Sequence, residues 1–386
     1  MRKKPSWHTE ESSLDSVVPL DGEWMTSRRR FLSAITGGRV DKVPAASLSS
    51  VVTLDGMDLV DAHFPEAHLD AELMARLAGT SHDQLGLDTV MPVFHSQLEA
   101  SALGADTWWG EVDNWPAPKS HVLTDPEDFK IPDDYLKKPS FEAALGAIRL
   151  LRLRYPDVAV VGKVYGAWSV GFQLVGIENW LMMTITEPEK IHRFLEVLLP
   201  ASLMSARAQY EAGADVVMWC DHTNRELVSP ETYVDFLLEQ HREIASEIGG
   251  PSILHCCGET TDRIEYFAEA GWDAFHFESQ VDPHVAKQIV GDRMSLMGNL
   301  NNPTTLFGGD FDLVYEESMK VLESGVEGLA PEGSVPLGTS METLKGMSAA
   351  ARDYSNTHRT NGRLIEHEIE ENKPEENKSE EEGTAV

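Results

Sequence analysis

Three stretches decide the fold: Asp215-Val216-Val217-Met218-Trp219-Cys220-Asp221-His222, Ser252-Ile253-Leu254-His255-Cys256-Cys257-Gly258-Glu259 and Asp273-Ala274-Phe275-His276-Phe277-Glu278. Each is a short apolar run that turns polar and metal-capable at its C-terminal end. A helical segment separates each from the next. Ser229-Pro230-Glu231 opens one of these helices, with serine as cap and proline at the first helical position. Thr261 to Ala270 forms the other and closes at Gly271. Repeated strand–helix–strand units demand parallel pairing beneath a helical cover.

The same unit recurs in both directions. Downstream come a helix over Pro283 to Val290, a strand over Met294 to Met297, a helix over Phe311 to Ser324 closing at Gly325, the short strand Gly328 to Pro331, and a last helix over Ser340 to Tyr354. Upstream lie the helix Ile191 to Ala212 ending at Gly213, the strand Val158 to Tyr165, the helix Phe141 to Tyr155 and the apolar run Thr89 to Phe94. Before them stand the helix Asp70 to Leu85, the apolar run Val43 to Thr53 and the amphipathic helix Thr26 to Thr36. Strands and helices alternate through eight candidate strands, which predicts an α/β fold: a single (β/α)8 barrel with an N-terminal helical extension. A doubly wound open sheet is the competing arrangement. Gly308-Gly309 precedes a helix but lacks the fuller phosphate-loop pattern, which weakens that alternative. Residues 23–358 are expected to form the barrel, 1–22 a disordered polar segment and 359–386 a disordered acidic tail.

Charge narrows the function classes. Lys and Arg number 32 against 64 Asp and Glu, a net charge of −32. Nine Glu and two Lys fall within Ile365 to Glu382 alone. Such a surface repels nucleic acid and anionic membranes. No run of about eighteen apolar residues exists, so no membrane span is expected. The basic start, Met1-Arg2-Lys3-Lys4, has no apolar stretch behind it and does not read as a secretory signal. Three cysteines, two of them adjacent, point to metal or thiolate chemistry in a reducing compartment such as the cytoplasm.

In a barrel of this kind chemistry sits where strands end. Five successive ends carry Cys220-Asp221-His222, His255-Cys256-Cys257, His276-Phe277-Glu278, Gly298-Asn299 and Glu332-Gly333. Residues two apart on an extended segment point the same way, so His255 and Cys257 are expected to share a target while Cys256 faces away. Imidazole with thiolate suits zinc. A third ligand would come from Glu278, Glu332 or Cys220. The competing reading is a buried cysteine acting as a small hydrophobe beside a hydrogen-bonded core histidine. Asp221 would anchor a substrate group, orient a histidine or cap a turn. Asn299 would donate to a ligand or shape a tight turn. His276 would face the mouth or, as its setting favours, pack within the barrel. Trp108, Trp109 and Trp115 occupy a long loop suited to a lid over a large flat cofactor, or to a plain cover.

At these residues the chain resembles the uroporphyrinogen decarboxylase superfamily, and within it the branch of methylcobamide:coenzyme M methyltransferases. The resemblance runs from about Met25 to Tyr354 and rests on several motifs. They are Arg28-Arg29-Arg30-Phe31-Leu32, Gly38-Arg39-Val40-Asp41-Lys42-Val43-Pro44, Phe64-Pro65-Glu66-Ala67-His68 and Glu99-Ala100-Ser101-Ala102-Leu103-Gly104. Ala212-Gly213-Ala214-Asp215, Ser229-Pro230-Glu231, His255-x-Cys257-Gly258 and Gly298-Asn299-Leu300-Asn301-Asn302-Pro303 complete it. The resemblance implies a methyl transfer from a methylated corrinoid on a partner protein to a coenzyme M-like thiol, with zinc held by His255 and Cys257.

The family's second cysteine lies in a Leu-Ala-Pro-Gly-Cys-Gly segment. Here the chain reads Leu329-Ala330-Pro331-Glu332-Gly333-Ser334, with Gly333 at the cysteine position. Glu332, or Glu278 (which matches an acidic residue near the family's metal), then completes the zinc site, or metal binding is weakened. A carboxylate in place of a thiolate makes a harder site for a soft thiol, which opens the way to a tetrahydrofolate-like pterin acceptor. In that case Asp221, Glu278 and Asn299 would hydrogen-bond the pterin ring as acid or orienting groups. The decarboxylases carry Arg-Gln-Ala-Gly-Arg near the first strand. Ala45-Ala46-Ser47-Leu48-Ser49-Ser50 stands there instead, so decarboxylation of an acidic tetrapyrrole is not expected. A lyase acting on a small acid and a non-catalytic corrinoid-binding relative are the rival readings. A homo-oligomer is compatible with either.

Overall fold

Apolar runs with no polar alternation need cover on both faces, and the chain supplies it with helices outside and side chains inside. The computed structural model describes residues 24–360 and 363–364. Seven parallel strands form one sheet in sequence order: β1 (Thr89–Val90), β2 (Ala159–Tyr165), β3 (Val216–Cys220), β4 (Ser252–His255), β5 (Ala274–His276), β6 (Ser295–Leu300) and β7 (Gly328–Pro331). The alternation expected of a covered strand is plain. Val161, Val216, Met218, Ile253, Ala274 and Met297 pack in one apolar cluster, while Val217, Trp219, Leu254, Phe275 and Leu296 pack in another.

The expected eighth strand, Val43 to Thr53, is not a regular one. It pairs only at Ala45, which bridges Leu329 in parallel. Even so it closes the barrel: Leu329 N donates to Pro44 O at 2.9 Å, Ala46 N to Leu329 O at 2.8 Å and Asp88 N to Ala45 O at 2.7 Å. Pro44 has no N–H to offer a ladder, and Ser47 turns to the side chain of Thr89 through Ser47 N–Oγ1 (2.7 Å) and Oγ1–Ser47 O (2.9 Å). The run Thr89 to Phe94 likewise keeps only two residues in strand.

Helix ends follow the sequence signals closely. Thr26, Asp70, Ser229, Asp282, Asp310 and Ser340 each cap a helix with a side-chain oxygen. Gly213, at φ 115°, ends the 25-residue helix Pro188–Ala212 in the left-handed region that favours glycine. Two further helices, Ala167–Val175 and Ile177–Thr186, fill the span between β2 and that long helix. They hold together because Gly171 leaves room for the buried Trp180 ring, which a Cβ would meet at 2.2 Å.

A buried ion cluster ties the N-terminal helix, Ser27–Ile35, to the barrel closure. Arg30 reaches Asp41 Oδ1 through Nε (2.6 Å) and Asp88 Oδ1 through Nη1 (2.5 Å). Asp41 Oδ2 accepts from the amides of Trp24 and Met25, both at 2.8 Å, and Asp88 Oδ2 from that of Ala45 at 3.2 Å. Among the described residues no helix is long and apolar enough to cross a membrane. The expected disordered segment 1–22 lies outside the described residues, as does most of the expected acidic tail. Arg359–Thr360 and Arg363–Leu364 pair as an antiparallel ribbon.

Removing one member of a buried, hydrogen-bonded ion cluster strands the others. Arg30→Ala should therefore destabilise the fold by about 3–5 kcal/mol, and Arg154→Ala, at an exposed pair with Glu72, by less than about 1 kcal/mol. Urea unfolding of both variants measures the contrast, and equal losses would contradict the assignment of the cluster.

Candidate active site

The register lines up one ring of side chains: Tyr165 pairs with Cys220, Cys220 with His255, and His255 with His276. His255, only 5% exposed, closes β4, and Cys257 follows two residues later. His255 Nδ1 donates to the carbonyl of His276 at 3.2 Å, which fixes the tautomer and leaves Nε2 as an acceptor. That nitrogen faces Cys257 Sγ at 3.1 Å. Beneath it the His276 ring stacks with centroids 4.6 Å apart and donates from Nε2 to Pro331 O at 2.7 Å. Burial holds both imidazoles neutral, lowering His255 well below its ordinary value and His276 to about 4. His276 therefore packs within the barrel.

Burial also pushes the Cys257 thiol up, and the Glu278 carboxylate beside it adds to the effect. Glu278 is raised in turn, first by burial, although the Gly258 amide and the Cys257 thiol favour its ionised form. Gly333 stands against this carboxylate: a Cβ there would lie 3.9 Å from Glu278 Oε1 and 3.8 Å from Asn302 Nδ2, in ordinary contact. The position where the resemblance led us to expect a cysteine thus lies against Glu278, with room for a side chain. Among the described residues no three His, Cys, Asp or Glu side chains converge closely enough to grip an ion as they stand. The donor set nevertheless has the right chemistry for zinc. It comprises an unprotonated imidazole nitrogen, the thiol that donates to it from 3.1 Å and a carboxylate against that thiol.

The remaining residues singled out in the sequence are placed elsewhere. Cys256 faces the outer layer, as parity requires, and its sulfur accepts from Thr223 N at 3.3 Å. Asp221 is buried there too. Its Oδ2 accepts from Trp219 Nε1 (2.8 Å) and meets His241 Nε2 (3.1 Å), while Oδ1 accepts from Ser169 N (3.0 Å). Glu332 spends both oxygens on neighbouring loops, Oε1 on Asn302 N (2.7 Å) and Oε2 on Ser279 N (2.9 Å) and the Ser279 hydroxyl. Asn299 donates from Nδ2 to the carbonyls of Glu278 (3.1 Å) and Val281 (2.9 Å), so it holds the loop that carries Glu278. Trp109 packs edge-on against His95 with centroids 5.3 Å apart, and Trp115 tilts against Phe64 at 5.4 Å. The tryptophan loop therefore covers the His68 and His95 side of the barrel.

Sequence reasoning gave no role in the site to four polar residues in this region: Lys163 on β2, His68, His95 and Glu99. All are buried. Burial lowers Lys163 to about 8, against charge–charge attraction from Cys220, Glu99 and Cys257. It lowers His68 to about 3 with help from the Lys163 charge, and raises Glu99 to about 7. His68 and Glu99 stand in two of the motifs that carry the resemblance, and Lys163 has its inward parity, two residues from Tyr165; nothing local flags His95.

The profile of the family described as uroporphyrinogen decarboxylase (URO-D) matches residues 26–354. This chain belongs to that family. Within it the chain falls in the branch of methylcobamide:CoM methyltransferases. A methylated-thiol–coenzyme M methyltransferase of Methanosarcina mazei is 32% identical over 331 residues, 85% of this chain and 90% of the relative. A methylcobamide:CoM methyltransferase MtaA of Methanosarcina barkeri is 29% identical over 333 residues, 85% of this chain and 98% of the relative. A solved structure described as a methyltransferase from Methanosarcina mazei superposes with a TM-score of 0.83 at 30% identity, covering 86% of this chain and 99% of that one.

Glu99 gives a pH signature. Its carboxyl rises from 4.5 to about 7 in the fold, so its contribution to stability is complete below about pH 4.5. Above that the unfolded chain sheds the proton while the fold still holds it, and stability falls until about pH 7. Glu99→Gln cannot ionise and keeps an acceptor for the Ser205 hydroxyl, which stands 2.7 Å from Oε1. Its stability relative to the parent should rise across this window by on the order of 2–3 kcal/mol. Parallel urea-unfolding profiles from pH 5 to 8 would contradict this.

Proposed function

We propose that this protein transfers a methyl group from a methylated corrinoid, carried by a partner protein, to a thiol, with His255 and Cys257 as the centre of the reaction. The observation that carries the reading is the His255 Nε2–Cys257 Sγ pair, 3.1 Å apart with the imidazole tautomer set by the His276 carbonyl. The names of the relatives support the rest. Each transfers methyl groups to coenzyme M, which favours a thiol over a pterin acceptor.

His255 and Cys257 would hold a zinc ion, with Glu278 filling the remaining position until the acceptor thiol displaces it. Zinc bound there would lower the pKa of an incoming thiol and make a thiolate available near neutral pH. Glu278, whose burial makes it a stronger base than an exposed glutamate, takes the thiol proton as the acceptor enters. The acceptor sulfur attacks the methyl carbon, so that the S–C bond forms as the Co–C bond breaks, and the bonding pair stays with cobalt. Asn299 and Glu332 act as positioning residues, fixing the loops that carry Glu278 and Gly333. Asp221 supports the end of β3 from behind.

Purified protein should bind one zinc per chain, and Cys257→Ala should abolish that binding. Gly333→Cys, which places a thiol against Glu278, should tighten zinc by at least about tenfold, since even outer-shell changes move metal affinity 10- to 100-fold. Methylcobalamin should be demethylated by a thiol and not by tetrahydrofolate. Absence of zinc together with absence of transfer to any thiol would sink the reading.

A further inference from the structure

We propose that the gap beside Gly333 receives an amino group carried by the methyl acceptor, so that the thiol this chain prefers is an aminothiol with its ammonium a short chain from sulfur. The proposal rests on the methyl-transfer reading above for the word acceptor. For the amine it rests on the shape and hydrogen bonding of one corner of the mouth.

A buried glycine usually marks a turn or a close approach that a side chain would forbid. Among the described residues every other buried glycine either takes a positive φ, as Gly176 and Gly258 do, or has an atom within 3.3 Å of its Cβ position. At Gly328 that atom is Met297 Cε, at 2.1 Å, and at Gly166 it is Asp221 Oδ2, at 2.0 Å. Gly333 meets neither demand. It is buried, its φ is not positive, and its Cβ position has only Asn302 Nδ2 (3.8 Å) and Glu278 Oε1 (3.9 Å) within 4 Å. Packing therefore does not ask for glycine here. The missing side chain leaves a space beside Glu278, whose carboxylate borders the Cys257 thiol.

The groups that border this space accept hydrogen bonds. Asn302 Nδ2 donates to Ser334 O at 2.9 Å, which fixes which way round the amide lies. Its Oδ1, on the same carbon, is then a buried acceptor with no partner among the described residues. Asn302 N donates to Glu332 Oε1 at 2.7 Å, so the residue is anchored at its backbone and at its side chain. Glu278 already takes the Gly258 amide, and a carboxylate has about four lone-pair sites. Leaving a buried acceptor unsatisfied is costly, and two acceptors around one space call for a group that only donates. Ammonium is that group, with three donors and no acceptor. An apolar substituent would leave Oδ1 unsatisfied, and an anionic one would meet Glu278 with like charge. The net charge of −32 works in the same direction, since an acidic surface gathers cations.

The test titrates cysteamine and 1-propanethiol, which end in an ammonium and a methyl respectively, into the zinc-loaded full chain by calorimetry. The two thiols also differ in acidity, which every variant shares, so the quantity read is the change in their affinity ratio between proteins. The parent should favour cysteamine. Asn302→Leu should lower the ratio by about 10- to 100-fold, as expected for loss of a hydrogen bond to a charged group, while Asn302→Asp, which keeps an acceptor, should hold it. Gly333→Ala should lower it too, because its methyl occupies the place of the amine. That variant needs no strained φ and meets no clash, so its melting temperature should not fall. Should Asn302→Leu fail to fold, the parent and Gly333→Ala still decide. Equal binding of both thiols by the parent overturns the proposal. A ratio unchanged in Gly333→Ala or in folded Asn302→Leu, as a water filling the space would give, overturns it as well. In turnover with methylcobalamin, kcat/KM for cysteamine over 1-propanethiol should follow the binding ratio across the variants. A parent that favours cysteamine through Gly333 and Asn302 yet methylates neither thiol would overturn the methyl-transfer reading and leave the amine subsite standing. Methylation of both thiols, with one kcat/KM ratio in all four proteins, would do the reverse.

Discussion

The structure depends on one constraint: in a covered parallel sheet every second side chain points inward, and the register decides which ones meet. Here the register sets Tyr165, Cys220, His255 and His276 at one level of the barrel. The carbonyl of His276 is then where His255 Nδ1 needs an acceptor, and Cys257, two residues on, meets the unprotonated Nε2. A slip of one residue in any of these strands would turn the inward set to the helices. The closure by Ala45 on Leu329, fastened by Arg30 through Asp41 and Asp88, keeps the last strand and its Glu332-Gly333 end beside the first.

The interior that results is electrostatically unlike the surface. Outside, acidic residues dominate. Inside, His255, His276, His68 and His95 are held neutral by burial, and Lys163, whose charge Glu99 feels, makes no ion pair among the described residues. The acids near the mouth divide into two kinds. Glu332 and Asp221 are spent on backbone amides and side chains of neighbouring elements, and serve architecture. Glu278 retains a face toward the Cys257 thiol and the space beside Gly333, where the proposed chemistry would need a carboxylate.

Much of this was legible in the sequence because its signals are local. Caps at Thr26, Asp70, Ser229 and Ser340, the glycine at 213 and the strand ends at His255 and His276 depend on neighbours a few residues away. The outward turn of Cys256 follows from period two alone, and the same rule applied to Asp221, next to the inward Cys220, points it away from the mouth. What stayed hidden depends on distant partners. Val43 to Thr53 looks like a strand until Pro44 and the Thr89 hydroxyl compete for its backbone. Lys163 looks like a polar interruption in an apolar strand until it is seen buried within the field of Glu99, Cys220 and Cys257. Helices Ala167–Val175 and Ile177–Thr186 need the Gly171–Trp180 contact to be recognised as a packed pair.

The central claim is that His255 and Cys257 together activate a thiol. X-ray absorption at the zinc edge of the zinc-loaded protein reads the ligand shell directly. One sulfur, from Cys257, should be present in the free protein, and a second should appear when 2-mercaptoethanesulfonate is added. A shell with no sulfur, or one that the thiol leaves unchanged, would contradict the account.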